Sequence, residues 1–171
     1  NYFSIQGNLE YIKFLVENGV DIHANNDQAL CDSARHGHLE VVKYLVKNGA
    51  DIHDSRALSN SAMNGHVEVV KYLVENCANV HVNNEHAIIY SGENGHLEVV
   101  KYLIENGADI HVYNDRALKD SAYSGYLEVV KYLVENGADI HADNDRALRN
   151  SAYYGNLELV KYLVENGADI H

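Results

Sequence analysis

The chain has 171 residues, of which 46% are hydrophobic, and 25 acidic against 13 basic side chains give it a formal net charge of −12. This balance excludes a strongly basic nucleic-acid-binding surface, and no apolar run approaches the roughly 18 residues needed to cross a bilayer, so we expect neither nucleic acid nor membrane as a partner. Two cysteines, Cys31 and Cys77, are too few for a disulfide scaffold, which favours a reducing, intracellular compartment.

A repeating unit of about 30 residues accounts for the whole sequence. A histidine ends each unit, at His23, His53, His81, His111, His141 and His171. The units are a partial one, 1–23, followed by 24–53, 54–81, 82–111, 112–141 and 142–171. Because no residue is left over for a linker, we expect a single domain over 1–171 in which each unit stacks on the next.

Each unit predicts two short helices in the same order along the chain. The partial unit begins with the end of a first helix before Gly7, and every later unit contributes a complete pair. In unit 112–141 the second helix has apolar residues at 127, 130, 133 and 134 and ends at Asn136-Gly137. Helices of about nine residues are unstable alone in water, so stability must come from stacking.

The segment GHLEVVKYL at 95–103, followed by NGADI at 106–110, resembles the second helix and loop of an ankyrin repeat, and similar segments occur in all six units. The resemblance implies an all-α solenoid whose first helices and connector tips line a concave face that binds other proteins, without catalysis or cofactors. The first-helix pattern ALxxSAxxG and the connector GADIHADND further resemble arrays encoded by giant amoebal DNA viruses. That narrower resemblance implies a host protein as partner, in the host cytoplasm.

The chain departs from the usual ankyrin pattern at the start of the first helix. Ankyrin repeats have Thr-Pro-Leu-His there, whereas this chain has, for example, Arg146-Ala147-Leu148-Arg149. We expect side-chain oxygens just upstream to replace the missing caps, at Asn26-Asp27, Asp54-Ser55, Asn84-Glu85, Asn114-Asp115 and Asn144-Asp145. Because the units are shorter than the typical 33 residues, we expect short connectors in place of extended hairpins.

The two cysteines do not indicate a catalytic site. Cys77 replaces the glycine that ends the other second helices, a place that favours positive φ, so a side chain there costs on the order of 1 kcal/mol. Neither Cys31 nor Cys77 has a base motif nearby, and the sequence contains no phosphate loop, carboxylate pair or nucleophile elbow. The sequence therefore favours a protein without catalysis over an enzyme fragment.

The unit-ending histidines form a column, which raises the alternative of a metal- or pH-responsive module. Packed helices lie about 8–10 Å apart, whereas zinc needs imidazole nitrogens within about 2.1 Å, so we favour a structural role in the connector turn and expect no metal site. Calorimetry with zinc separates these hypotheses. A second column is predicted to pack at the edge of the core, namely Tyr44, Tyr72, Tyr102, Tyr132 and Tyr162, with Phe14 in the first unit.

Positions that vary between units are free to contact a partner, and most of them lie on the first helices. The last two units combine tyrosine with basic residues there, and tyrosine and arginine are enriched at binding hot spots. We therefore predict a partner-binding surface formed by Arg116, Lys119, Tyr123, Arg146, Arg149, Tyr153 and Tyr154. Since the acidic residues concentrate on the second helices and connectors, this surface is expected to become basic towards the C-terminus.

The last unit keeps the apolar pattern of the internal ones. We expect one of its faces to be exposed, with Leu157, Leu159, Val160, Leu163 and Val164. Either further flanking sequence or end-to-end association is expected to cover that face.

Overall fold

The computed structural model describes residues 2–81 and 85–169, except for the side chains of residues 2 and 3. Asn84, which we assigned to a cap, and His171, the last of the histidine column, lie outside the described residues. Within these ranges the chain forms twelve α-helices and no strand: α1 Tyr2–Ile5, α2 Leu9–Glu17, α3 Ala24–Arg35, α4 Leu39–Lys47, α5 Ser55–Met63, α6 Val67–Glu75, α7 His86–Glu93, α8 Leu97–Glu105, α9 Val112–Ser124, α10 Leu127–Glu135, α11 Ala142–Tyr153 and α12 Leu157–Glu165.

The helices form two layers. The odd-numbered helices, which we name the first helices, pack on one another in chain order, and the even-numbered second helices do the same. Each first helix also packs against the second helix that follows it. This arrangement confirms the predicted all-α solenoid with short connectors, while the unit boundaries at the histidines stay a prediction. No helix in the described ranges is long and apolar enough to span a bilayer.

The core lies between the two layers and uses the same positions in each unit. In α10, Val129, Val130 and Leu133 are buried, and the equivalent residues of α4, α6 and α8 join them in one cluster. The solvent side of α10 carries Glu128 and Lys131, whose charged groups lie 2.9 Å apart. Such an exposed pair contributes about 0.2–0.5 kcal/mol, far less than the buried stripe, so apolar burial holds the helix in place.

The predicted tyrosine column packs at the edge of this core. Its five tyrosines are partly buried against it, Tyr44, Tyr72, Tyr102, Tyr132 and Tyr162, and burial raises the pKa of Tyr102 and Tyr162. The prediction is wrong for Phe14, whose side chain is 55% exposed. The preceding second helix contacts the later tyrosines where the Tyr162 hydroxyl donates to the Lys131 carbonyl at 3.4 Å and where the Lys101 Nζ lies over the Tyr132 ring, 6.0 Å from its centroid. Phe14 lies on α2, and no second helix precedes α2 in the described chain to cover its ring.

The last unit exposes only part of its apolar pattern. Leu157 is 61% exposed and Val164 is 38% exposed. The prediction is wrong for Leu159 and Leu163, which belong to the buried core, because α10 and α11 both pack against α12.

The connectors follow the predicted caps at only one described place. Asp54 caps α5, where its Oδ1 accepts a hydrogen bond from the Arg56 N–H at 2.8 Å. At the start of α3, α9 and α11 the prediction is wrong, because three successive residues have positive φ, at 25–27, 113–115 and 143–145. Glu85 also has positive φ and makes no capping bond to α7. Asparagine and aspartate tolerate this left-handed region better than most residues, which explains why they dominate these triplets.

The second helices end in a tight turn that requires positive φ. After α10 the Gly137 N–H donates to the Val134 carbonyl and the Ala138 N–H to the Leu133 carbonyl, both at 3.0 Å, with Gly137 at φ 101°. Cys77 makes the same turn after α6 at φ 74°. A Cβ built on Gly137 would meet no atom within 4 Å, so the cost of a side chain in this turn is conformational rather than steric.

Replacing Cys77 by glycine should stabilise the chain by up to about 1 kcal/mol, because glycine adopts positive φ without a Cβ penalty. Urea denaturation followed by circular dichroism measures the change in the free energy of unfolding. Gly137→Cys is the matched control and should destabilise by a similar amount. A loss of stability in Cys77→Gly would mean that the Cys77 side chain is packed rather than strained.

A second set of histidines, for which the sequence analysis assigned no role, ties neighbouring units together. The His66 Nε2 donates to the Arg35 carbonyl, 2.9 Å away at the end of the preceding first helix α3. Its ring also covers Gly37, where an added Cβ would lie 2.5 Å from the His66 Nδ1. Equivalent bonds join His38 to the Ile5 carbonyl and His96 to the Met63 carbonyl, at 2.7 and 3.0 Å.

Gly37→Ala should therefore cost more than Gly49→Ala, although both glycines have positive φ. The left-handed conformation accounts for about 1 kcal/mol at each position, and displacing His66 adds the loss of a hydrogen bond, about another 1 kcal/mol at Gly37. A Cβ on Gly49 meets nothing within 4 Å. Urea denaturation measures the free energy of unfolding of the two variants. Equal losses of stability would contradict a role for the His66 contact.

Candidate binding surface

Six of the seven residues of the predicted surface lie on α9 and α11, which are neighbouring first helices. Arg116 and Tyr123 are seven residues apart and so share one face of α9, and Arg146 and Tyr153 hold the equivalent places on α11. Tyr154 follows directly after α11. The two helices thus each carry an arginine near the start and a tyrosine about two turns later.

The three tyrosines form an exposed aromatic cluster. Tyr123 and Tyr154 meet edge to face, with ring centroids 4.6 Å apart and planes inclined at 70°, and Tyr153 meets Tyr154 at 4.9 Å and 79°. The hydrogen bond with Tyr123 raises the pKa of Tyr154 to about 12. The side chains are nevertheless 52%, 83% and 48% exposed for Tyr123, Tyr153 and Tyr154. The rings therefore restrain one another while they stay open to solvent.

The two arginines on this face are paired within the protein. The Arg116 Nε donates to the Asp120 Oδ2 at 2.9 Å, and the Arg146 Nη1 lies 3.9 Å from the Asp143 Oδ2. The expected increase in basic character towards the C-terminus is therefore offset by neighbouring carboxylates. The surface is aromatic, with paired charges at its edge.

Lys119 does not lie on this surface, which corrects the prediction. Its side chain is buried, because it reaches beneath the next unit. There the Lys119 Nζ donates to the Tyr113 carbonyl at 3.3 Å and pairs with the Asp143 carboxylate. A partner cannot contact Lys119 while the two units are stacked.

Arg149 lies on the face of α11 that corresponds to the Lys119 face of α9, and it is separate from the tyrosine cluster. The Arg149 Nη2 donates to the Asp143 carbonyl at 2.7 Å. The guanidinium lines a cleft of about 370 Å³ whose other walls are His141, Asn144, Asp145, Leu148, Ala152 and Asp169. Five of the seven predicted residues therefore share the tyrosine-bearing face: Arg116, Tyr123, Arg146, Tyr153 and Tyr154.

Four of the five described unit-ending histidines contact a carboxylate four residues later, a partner that the sequence analysis missed, whereas His53 has Ala57 at that place. The His111 Nδ1 lies 3.0 Å from the Asp115 Oδ1, and the Asp115 side chain is only 4% exposed. The same oxygen accepts a hydrogen bond at 2.9 Å from the N–H of Asp139, in the connector that ends the same unit. Similar pairs join His23 to Asp27, His81 to Glu85 and His141 to Asp145. The spacing of four residues between the histidine and the acid in the sequence could have predicted this contact.

Because each of these four histidines ends one unit and its carboxylate lies at the start of the next, the pairs join consecutive units as well as shaping a local turn. In the described part of the chain, no group of three or more histidine, cysteine, aspartate or glutamate side chains is placed to hold a metal ion. The metal- or pH-responsive alternative stays a prediction.

Glu85 is the exception among these carboxylates. Its Oε1 contacts the His81 ring, but among the described residues its buried Oε2 has no hydrogen-bond partner. An aspartate there would place its carboxylate as Asp115 does, against a backbone N–H in the connector that ends the same unit. Leaving a buried polar group unsatisfied costs about 1–3 kcal/mol.

Glu85→Asp should therefore stabilise the chain by about 1 kcal/mol, and the reciprocal Asp115→Glu should destabilise it by at least as much. Thermal denaturation and urea denaturation of both variants measure the changes. A stability loss in Glu85→Asp would mean that the longer side chain is needed to reach His81.

The two cysteines differ in accessibility. Cys31 is buried, whereas Cys77 is exposed. Burial is the main cause that raises the pKa of Cys31 to about 12. Since the thiolate is the nucleophile, Cys31 is held in its unreactive form at neutral pH.

A chain of similar helices that stack side by side and are joined by short turns is a helical repeat protein. The family model for ankyrin repeats (three copies) matches residues 1–56, 53–114 and 113–171. The chain therefore belongs to the ankyrin-repeat family, whose members generally mediate protein–protein interactions and are typically not enzymes. A search of curated proteins found no match to the chain.

Proposed function

We propose that this chain is a non-catalytic scaffold that binds a partner protein through the tyrosine-bearing face of α9 and α11. The observation that supports this proposal is the exposed cluster of Tyr123, Tyr153 and Tyr154 on neighbouring first helices. Contiguous exposed apolar surface marks interaction sites in soluble proteins. In the ankyrin family the first helices line the concave face, which is where we place the partner.

The cluster has the physical properties of a binding hot spot. Tyrosine buries a large area with few rotatable bonds, and the contacts through Tyr154 restrict the rings before a partner arrives. Less entropy is then lost on binding. Because Arg116 and Arg146 already have carboxylate neighbours, we expect them to orient the partner through hydrogen bonds rather than to attract it over long range.

We also propose that the partner is a host protein and that the chain acts in the host cytoplasm. The supporting observation is the resemblance of its connectors and first-helix pattern to viral ankyrin arrays. The sequence contains only two cysteines, too few for a disulfide scaffold, which is the composition we expect in a reducing compartment.

Site-specific photo-crosslinking tests the proposed surface. A photoreactive phenylalanine analogue at Tyr153 is compared with the same analogue at Glu165, an exposed residue on α12 of the same unit. In a lysate of the host cell, the proposal requires a protein that crosslinks at Tyr153 and not at Glu165. Equal crosslinking at both positions would contradict it.

For a partner found in this way, Tyr123→Ala combined with Tyr153→Ala should weaken binding by about 2 kcal/mol, or roughly thirtyfold. Isothermal titration calorimetry measures the affinity. The matched control is Arg35→Ala with Met63→Ala, because these residues hold the same helical position on α3 and α5. An equal loss in the control would place the binding surface elsewhere on the first helices.

A further inference from the structure

Histidine side chains close the C-terminal ends of three first helices, α1, α3 and α5. Each histidine belongs to the following unit and donates to the carbonyl of the last helical residue. These bonds join His38 to Ile5, His66 to Arg35 and His96 to Met63. Because a helix has no internal donor for its last carbonyls, each histidine satisfies a group that the helix itself cannot.

The ends of α7 and α9 lack this contact. Tyr126 and Asn156 hold the place of the histidine, and their side chains lie beside Gly95 and Gly125. In the part of the chain that the structure describes, neither side chain donates to the carbonyl that corresponds to that of Met63. Asparagine is also shorter than histidine, so the place of the imidazole is only partly filled at the end of α9.

The carbonyl left without a histidine at the end of α9 is that of Tyr123, whose ring belongs to the exposed tyrosine cluster. On the other side of this place, Asn156 lines a cleft of about 300 Å³ whose walls include Leu127 and Leu157. A hydrogen-bond acceptor, exposed aromatic rings and an apolar cleft therefore lie close together. A side chain with an apolar stem and a donor group at its tip would match all three.

The charged groups around the end of α9 favour a cation. Glu93 is exposed at the end of α7. Glu128 and Glu158 line the clefts beside Gly125, and each is paired with a lysine three residues later. Arg116 and Arg146 lie about two turns away and have carboxylate neighbours. These pairs leave the charge of Glu93, to which the negative end of the α9 dipole adds.

We propose that the partner presents an arginine whose guanidinium takes the place of the missing histidine, where it donates to the Tyr123 carbonyl and lies against the tyrosine cluster. A guanidinium stacks on aromatic rings and carries five donors, and its stem fits along Leu127 and Leu157. Lysine has no planar group to stack, so arginine is the better match. The inference names the chemistry of the partner and rests on the proposed function.

A peptide titration tests the chemistry of the site. The probe is acetyl-Gly-Gly-Arg-Gly-Gly-amide, compared with the same peptide carrying lysine or citrulline in place of arginine. Nuclear magnetic resonance of the isotope-labelled full chain follows the backbone amides and gives the dissociation constants. We expect the amides of residues 123–126 and 153–156 to shift, with the arginine peptide binding about threefold more tightly than the lysine peptide and about tenfold more tightly than the citrulline peptide.

Two outcomes of the titration would overturn the proposal. One is equal affinity for the arginine and lysine peptides, which would indicate attraction by charge alone. The other is the absence of shifts at these two groups of amides, including a pattern confined to the second helices.

The variant Asn156→His supplies within the chain the donor that the partner is proposed to bring. It should bind the arginine peptide about tenfold more weakly, and its melting temperature should be unchanged or higher. Tyr126→His is the matched control, because it closes the Glu93 carbonyl instead and should keep the affinity. Unchanged affinity in Asn156→His, or an equal loss in Tyr126→His, would contradict the proposal.

The same variants separate this inference from the proposed function. A protein that crosslinks at Tyr153 should bind Asn156→His more weakly than the parent chain. If it binds both equally, the proposed function stands and the arginine is overturned. If no protein crosslinks specifically at Tyr153, the proposed function fails, while the peptide titration still decides the arginine site.

Discussion

No helix of nine residues holds its shape alone in water, and this constraint governs the whole molecule. Each second helix contributes a narrow apolar stripe, such as Val129, Val130 and Leu133, that becomes a core only when the neighbouring helices cover it. The same dependence extends to polar groups. The Arg35 carbonyl is satisfied by His66 of the next unit, and the Asp143 carboxylate by Lys119 of the unit before it. A unit is thus completed in both its apolar and its polar contacts by the next one.

The contacts between neighbouring units, which we call junctions, combine residues that recur in every unit with residues that vary. The apolar stripe and the glycine turns recur throughout, but the side chain that covers the glycine changes from His96 over Gly65 to Tyr126 over Gly95 and Asn156 over Gly125. Variation between units therefore has two different meanings. At some positions it leaves a surface free for a partner, and at others it adjusts one junction to its own neighbour.

Most of the architecture could be predicted from the sequence because it depends on local periodicity. The second helices follow from apolar residues at helical spacing, and the turn at Cys77 follows from the glycines at equivalent places. The burial of Lys119 could not be predicted in the same way, since it depends on Asp143, which lies 24 residues away in another unit. Variability between units was a correct guide to Tyr123 and Tyr153 as exposed positions. It was misleading for Lys119, because a variable position can face a neighbouring unit as well as solvent.

The Lys119–Asp143 contact also bears on how such an array can grow. Duplication of a unit copies both sides of a junction, yet a copied unit meets a neighbour for which its variable residues were not selected. If a copied unit were inserted between units 82–111 and 112–141, one of its sides would face Ile89 and the other would face Tyr113. A charged residue of the copy at either place would then have no residue of opposite charge opposite it. New units are therefore accommodated most easily at a terminus, where only one junction must be adjusted. Arrays built on matched pairs of this kind should lengthen from their ends, and their inner units should keep a fixed order.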